Sequence, residues 1–373
     1  MRIVFDCRYT RIERHDGISR YTAGLVTALG ALHPVEMLIH DRRQLAQLPD
    51  LPWHLVSGPT SIREPLVARQ VRRIVGPGRD TVVFSPMQTM GTWGRTYGLV
   101  LTLHDLIYYR HPTPPPEFAA PIRALWRLYH MAWWPQRLLL DRADAVATVS
   151  ETTAALIAQH RLTRRPVTVV SNAADPLPDR SRLPRTRALV YMGSFMPYKD
   201  VDVLARAMPL LPDHELHLMS KVSPDERARL TALAPGGRLV FHDGASDATY
   251  RDVTRGATAL VSASRDEGFG IPLVEAMGMG TPVVVSDIPV FREVGGPPGG
   301  AASYVPPGDV AGFVRAVKEL DDPGCWEQRS AAARERAGHY TWENAARVLL
   351  ALLERVVDDR LRPPGRAGTA PGS

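Results

Sequence analysis

The stretch of this chain best equipped for chemistry runs Ser264-Arg-Asp-Glu267-Gly268-Phe269-Gly270-Ile271-Pro272-Leu-Val-Glu275-Ala-Met-Gly-Met-Gly280. It follows an apolar run, Ala257 to Val261, that reads as a strand. Gly268 and Gly270 let a ligand approach the backbone closely. Pro272 suits the first turn of a helix, where its missing N–H costs nothing. The start of that helix offers free N–H groups and a positive dipole end to a phosphate. Glu267 lies in the loop before the helix and Glu275 about one turn into it. Carboxylates accept hydrogen bonds from vicinal hydroxyls, so one suits a sugar and the other a ribose. Two glutamates alone would read as solvated charges beside an ordinary strand–helix turn. The glycines, Pro272 and the small-residue helix that follows favour a ligand site.

The elements around this stretch repeat one pattern. Apolar runs at Ile3–Asp6, Val35–Ile39, Thr81–Ser85, Val100–His104, Ala145–Val149 and Val167–Val170 read as strands. Helical patterns lie between them at Ile18–Leu32, Pro121–Asp141 and Glu151–His160. Such alternation predicts a parallel sheet of βαβ units. The pattern restarts with strands at Ala188–Met192, Glu215–Met219, Arg238–Phe241, Ala257–Val261 and Thr281–Val285, and helices at Val201–Pro209 and Asp225–Leu233. Between the two series, the prolines of Asp175–Pro184 mark a linker. The expected organisation is an α/β chain of two doubly wound domains, 1–176 and 177–340. The segment 341–373 holds a helix from Trp342 to Asp358, expected to cross back to the first domain, and a Pro/Gly/Ala-rich tail expected to be disordered. Open parallel sheets bind ligands beyond the carboxyl ends of their strands. Two facing sheets then enclose a cleft, with one partner of a reaction held on each side.

Composition narrows the class. The chain has 373 residues and is 45% apolar, which suits two ordinary domains. A net charge of +6 favours anionic partners such as nucleotide phosphates or acidic lipid headgroups. The basic residues are dispersed with few interleaved aromatics and no nucleic-acid motif, so no nucleic-acid partner is expected. Cys7 and Cys325 form neither a disulfide framework nor a zinc site, and point to a reducing compartment. With no signal architecture and no long apolar run, a cytoplasmic protein is expected.

The form Glu267-Gly-Phe-Gly-Ile-Pro-Leu-Val-Glu275-Ala-Met, continued by Gly280-Thr-Pro-Val-Val-Val-Ser-Asp287 and Glu293-Val294, resembles the signature of retaining GT-B glycosyltransferases of family 4. Asp6-Cys-Arg-Tyr and Asp16-Gly17-Ile-Ser-Arg-Tyr21 resemble the opening of the family's mannosyltransferase-like branch, with Ser19 in place of a second glycine. The resemblance covers nearly the whole chain. It implies a GT-B fold: two Rossmann-like, doubly wound parallel-sheet domains, the first on the acceptor side and the second binding a nucleotide sugar. It implies that Glu267 contacts the donor sugar, Glu275 the nucleotide ribose, and Gly268–Ile271 with Pro272 the diphosphate and sugar. Gly17 falls in the loop that meets the donor.

By the same resemblance, His104 of Leu103-His-Asp-Leu106 lies beside the reacting sugar, with its backbone carbonyl near the anomeric centre. Lys199, in Gly193-Ser-Phe-Met-Pro-Tyr-Lys-Asp200, neutralises the donor diphosphate and supports the leaving nucleotide. Many members carry a further Arg after the glycine, where this chain has Ser194. Lys221 follows the strand Glu215–Met219 and either reaches the donor or is simply solvated. In Val170-Ser-Asn172-Ala-Ala-Asp175, Ala173 stands where the family's hinge has glycine. Ser150 is placed to cap the helix after it.

The expected reaction is retaining transfer of a hexosyl unit, mannosyl favoured, from an NDP-sugar to an acceptor hydroxyl in a glycan, glycolipid or small molecule. GDP-mannose is the favoured co-substrate, with no further cofactor and no bound metal. A GT-B phosphorylase, an NDP-sugar epimerase and a transferase acting on a soluble acceptor are the rivals. Ile62–Val75 carries Arg63, Arg69, Arg72 and Arg73. Pro121–Asp141 carries Trp126, Trp133, Trp134 and three arginines. These are either ordinary helices with one buried face or surfaces for peripheral contact with an anionic membrane at its inner face.

Overall fold

The computed structural model describes residues 1–12, 16–76, 78–114, 120–175 and 184–362. Strands β1 (Arg2–Asp6), β2 (Val35–Ile39), β3 (Trp53–Leu55), β4 (Thr81–Ser85), β5 (Gly98–Leu103), β6 (Ala145–Thr148) and β7 (Val167–Val169) build one sheet. Its order is β3-β2-β1-β4-β5-β6-β7, parallel throughout. Strands β8 (Ala188–Tyr191), β9 (Glu215–Leu218), β10 (Arg238–Phe241), β11 (Ala259–Ser262), β12 (Val283–Ser286) and β13 (Ala302–Val305) build the second, in the order β10-β9-β8-β11-β12-β13, also parallel. Helices cover both faces of each sheet, so central strands such as Thr-Val-Val-Phe-Ser in β4 and Val-Val-Val-Ser in β12 are buried at every residue. This is the GT-B architecture: two Rossmann-like sheets facing a cleft.

Strand order reverses between β1 and β4 in the first sheet, and between β8 and β11 in the second. Crevices open beyond the carboxyl ends of strands at such switch points. The loops after β8 and β11 flank the second switch point and carry Lys199 and Glu267 to the cleft; the loop after β5, the strand beside β4, carries His104 there.

Two strands escaped the sequence pattern. β3 is three residues long and exposed at its ends, and β13, Ala-Ser-Tyr-Val, follows a Gly/Pro run. The segment read as one helix over Pro121–Asp141 is broken into Ala120–His130 and Trp134–Leu140. Pro135 sits in the first turn of the second piece, where its missing N–H is harmless; within a continuous helix it would break the ladder. The linker prolines at 176–183 and the tail beyond 362 lie outside the described residues.

The helix Trp342–Leu361 packs on the helix Gly17–Leu32 and on β4 and β5 of the first sheet. Its Trp342 indole N–H donates to Asp175 Oδ1 at 2.9 Å. A continuous apolar cluster runs from Phe5 and Leu25 through Leu349 to Phe269, Leu273 and Phe291, joining the two halves.

Candidate active site

Two loops at the second switch point are stitched together. After β8, Tyr191 is buried and its hydroxyl donates to the Ser194 carbonyl, while the Gly193 N–H donates to Ser220 Oγ at 3.1 Å. A 3₁₀ turn, Pro197–Lys199, follows and ends at Asp200 in the left-handed region, φ 48°. After β11, the Arg265 N–H donates to the Tyr198 carbonyl at 2.8 Å, and its guanidinium pairs with Asp200 at 2.8 Å. This geometry brings the Lys199 ammonium onto Glu267 Oε1, which also accepts from Ser264 Oγ at 3.1 Å. Both side chains are mostly shielded, 13% and 16% exposed, so salt screens the pair weakly.

Gly268 is where the two halves meet most closely. A Cβ there would stand 2.7 Å from the His104 carbonyl oxygen and 2.9 Å from the Asp105 Cβ. No larger residue fits without parting the halves. The Gly268 carbonyl accepts from Ser150 Oγ at 2.9 Å, and the same hydroxyl accepts from the Thr153 N–H at 3.1 Å. Gly270, at φ 92°, turns the chain into the helix Ile271–Gly278, with Pro272 in its first turn. Phe269 is buried, edge-on to Tyr340 at 5.4 Å, so its ring belongs to the core and its backbone alone faces the loop's ligand side. Gly17 begins its helix opposite Ile271, whose Cδ1 lies 3.5 Å from where a Gly17 side chain would start. The N-terminus of Ile271–Gly278 thus faces that of the first helix, where Asp16 caps the Ser19 N–H.

His104 follows β5. Its Nε2 lies 2.7 Å from the Pro86 carbonyl, so Nε2 carries the proton and Nδ1 is left as an acceptor. Burial lowers its pKa, which keeps the ring neutral; Tyr21 meets it edge-on at 5.0 Å. Asp105 is pushed up to about 6, chiefly by burial, against the Ile107 N–H that it accepts at 3.0 Å. Asp266 faces Arg110 at 3.1 Å and His111 at 3.4 Å across the cleft. Glu293 caps the helix Glu151–Gln159 from the other half, accepting from the Glu151 and Thr152 N–H groups at 2.7 and 2.8 Å.

Glu275 accepts from Arg20 of the first helix, which also reaches Asp247 at 2.8 Å. Burial raises the Glu275 pKa while Arg20 pulls it down. A cavity of about 40 Å³ lies among Arg20, Asp175, Asp247, Tyr250 and Glu275. Lys221 stands apart, lining an open groove of about 730 Å³ with Arg227, Thr231 and Asp243. The structure therefore groups Lys199, Glu267, Gly268 and His104, places Glu275 further along the same loop and helix, and leaves Lys221 outside that group. Sequence reasoning assigned no role to Arg20 or Asp105, although both stand inside motifs it had singled out. The signal was a charge next to a motif residue. Among the described residues, no three of His, Cys, Asp and Glu converge as a metal-binding group.

Both halves of the chain, and its fold, resemble known proteins. Residues 15–176 match the family model described as Glycosyltransferase Family 4, and residues 186–322 the one described as Glycosyl transferases group 1. The chain is 30% identical over 180 residues to an MMP α-(1→4)-mannosyltransferase of Mycolicibacterium hassiacum, covering 46% of this chain and 44% of that one. It is 35% identical over 199 residues to a phosphatidyl-myo-inositol mannosyltransferase of Mycolicibacterium smegmatis, covering 51% and 50%. The matched segments thus span about half the length of these relatives. An O-antigen chain mannosyltransferase of Salmonella typhimurium is 24% identical over 323 residues, 82% of this chain and 87% of that one. In fold, sucrose-phosphate synthase from Thermosynechococcus elongatus superimposes with a TM-score of 0.73 at 19% identity, over 96% and 99% of the two chains. Anabaena HepE, solved with UDP and glucose, gives 0.72 at 16% identity, over 95% and 100%. With each half matched by a glycosyltransferase model and the whole fold shared with solved structures, the chain has the GT-B fold and is related to the family-4 glycosyltransferases.

Proposed function

We propose that this protein transfers a hexosyl unit, mannosyl by preference, from a nucleoside-diphosphate sugar to an acceptor hydroxyl with retention of anomeric configuration. GDP-mannose is the favoured donor, and a cell-surface glycan or glycolipid the favoured class of acceptor. The observation that carries this reading is the Lys199–Glu267 pair lying beside Gly268, which itself rests on the His104 carbonyl. In this reading Lys199 and the N-terminus of Ile271–Gly278 hold the diphosphate, and Gly17 borders it from the other half. Glu267 and His104 hold the sugar, and Glu275 takes the ribose. Breaking the anomeric bond places positive charge on the sugar and new negative charge on the diphosphate, where Lys199 opposes it. The departing phosphate then takes the acceptor's proton, and the neutral His104 adds no cation beside the sugar. That three relatives are named as mannosyltransferases supports the choice of sugar.

The test is a thermal-shift panel of GDP-mannose, GDP, UDP-glucose and UDP, followed by product analysis. A ligand at 100 times its dissociation constant stabilises the fold by about 2.7 kcal/mol. GDP-mannose should stabilise more than UDP-glucose, and the product formed with an acceptor should be the α-anomer. Stabilisation by UDP-glucose alone would overturn the choice of donor, and a β-product the retaining mechanism.

A further inference from the structure

We propose that the helix pair Ala120–His130 and Trp134–Leu140 is an interfacial docking surface that inserts into a bilayer carrying anionic lipid. Ile122, Leu125, Leu128, Met131, Trp134 and Leu138 are each more than half exposed. No Asp or Glu occurs from Ala120 to Leu140, whereas Arg123, Arg127 and Arg137 do, all exposed. Large apolar side chains interspersed with cations and free of acidic residues match the chemistry of an acyl boundary beneath anionic headgroups. A soluble partner would have to cover this apolar area while pairing several arginines.

The outward apolar residues are held in place from beneath. Trp133 stacks on Tyr109 and on His160, each at 4.2 Å, and Trp126 packs on His130 at 4.0 Å. These aromatics fill the inner side, which leaves the leucines no core to enter. The basic helix Val67–Val75 differs: it spends Val67, Ala68, Val71 and Val75 on the core and shows arginines outside, so it can attract a surface but has no apolar face left to insert. Position adds to the argument. Tyr108 meets Trp126 edge-on at 5.0 Å, three residues beyond Asp105 in the cleft. Among the described residues no helix is long and apolar enough to cross a membrane, so contact here would be peripheral. The inference deepens the acceptor side of the proposed function, and rests on that reading only for what the docked surface delivers.

Co-sedimentation of the full chain with phosphatidylcholine vesicles, with and without phosphatidylglycerol, tests it without any donor present. Binding is expected to the anionic vesicles, to weaken with salt, and to fall about tenfold or more in both Leu125→Asp/Leu128→Asp and Arg123→Glu/Arg127→Glu. Both variants alter exposed positions, so their thermal stability and GDP-induced shift should match the parent chain. Absence of binding at low salt, or binding unchanged in both variants, would overturn the proposal. So would a salt-stable dimer that the leucine variant dissociates, which would make the patch a contact between copies. A failed GDP shift with intact vesicle binding would instead remove the donor reading and leave the docking surface standing.

Discussion

Replacing Glu275 by alanine tests the ribose assignment most directly, and the structure sets the size of the effect. A hydrogen bond to a charged group contributes about 1.5–3 kcal/mol, or roughly ten- to hundredfold in affinity. Glu275 is 14% exposed, so little of that is lost to solvent screening. Its carboxylate already accepts from Arg20, however, so a ribose diol gains only the difference between two partners. The expected loss for Glu275→Ala is therefore at the low end, about 1.5 kcal/mol or roughly tenfold in the GDP dissociation constant. Asp247→Asn supplies the control. It cuts the other arm of the Arg20 clamp at a carboxylate that is 62% exposed, where an ion pair contributes about 0–1 kcal/mol. Isothermal calorimetry with GDP on both variants separates a ribose contact from a clamp. Unchanged binding in Glu275→Ala would remove the residue from the site. Equal losses in the two variants would show that nucleotide affinity depends on the clamp between the halves and not on a contact to the ribose.

Three further outcomes follow from the same geometry. His104→Ala should lower turnover by about ten- to a hundredfold while GDP affinity stays within roughly threefold if, as proposed, the ring holds the sugar and not the nucleotide; steady-state rates set against calorimetry decide. Gly268→Ala should abolish most activity, since its Cβ would stand 2.7 Å from the His104 carbonyl oxygen and push apart the loops that carry His104 and Glu267; activity with normal kinetics would show that this contact is dispensable. Asp105, raised to about 6 by burial, holds its proton more tightly folded than unfolded, so its contribution to stability is full below the unfolded value near 3.8 and lost as pH rises through the folded one. Urea unfolding should show the parent chain losing about 2 kcal/mol relative to Asp105→Asn between about pH 4 and about pH 7, and parallel profiles would refute the shift.

The parts of this molecule that were legible in sequence are those whose causes are local. Strands buried on both faces leave unbroken runs such as Thr81–Ser85, and Gly270 with Pro272 marks a helix start because few other residues accept that backbone. The cleft followed from counting two βαβ series. What was missed depends on distance or on exposure. β3 is short and exposed, so it carries little apolar pattern. The partner of Glu275 is Arg20, 255 positions earlier, and no spacing rule connects them. For Ala120–His130 the sequence left two readings open, a helix with one buried face or an interfacial one. Which side chains face solvent depends on the packing of Trp126, Tyr129 and Trp133, which fill the inner side.

The placement of charge bears on how a diphosphate would enter. A basic chain invites the idea of a positive cleft, but each cation named there faces a carboxylate of the second half. Lys199 meets Glu267, Arg20 meets Glu275 and Asp247, Arg110 meets Asp266, and Arg265 meets Asp200. The site is thus close to electrical balance, and the net charge of +6 resides elsewhere. A donor anion would bind by exchange: it takes a cation from a carboxylate, and that carboxylate turns to the hydroxyls of the same ligand. Lys199 with Glu267 and Arg20 with Glu275 are arranged for that trade at the two ends of one loop and helix. Exchange of this kind discriminates against bare phosphate, which could take the cation but offers no vicinal hydroxyls to the carboxylate it displaces. Affinity for a nucleotide sugar would then depend on both pairs opening together. Recognition of the sugar and of the ribose would be coupled through the helix Ile271–Gly278, whose N-terminus lies between them.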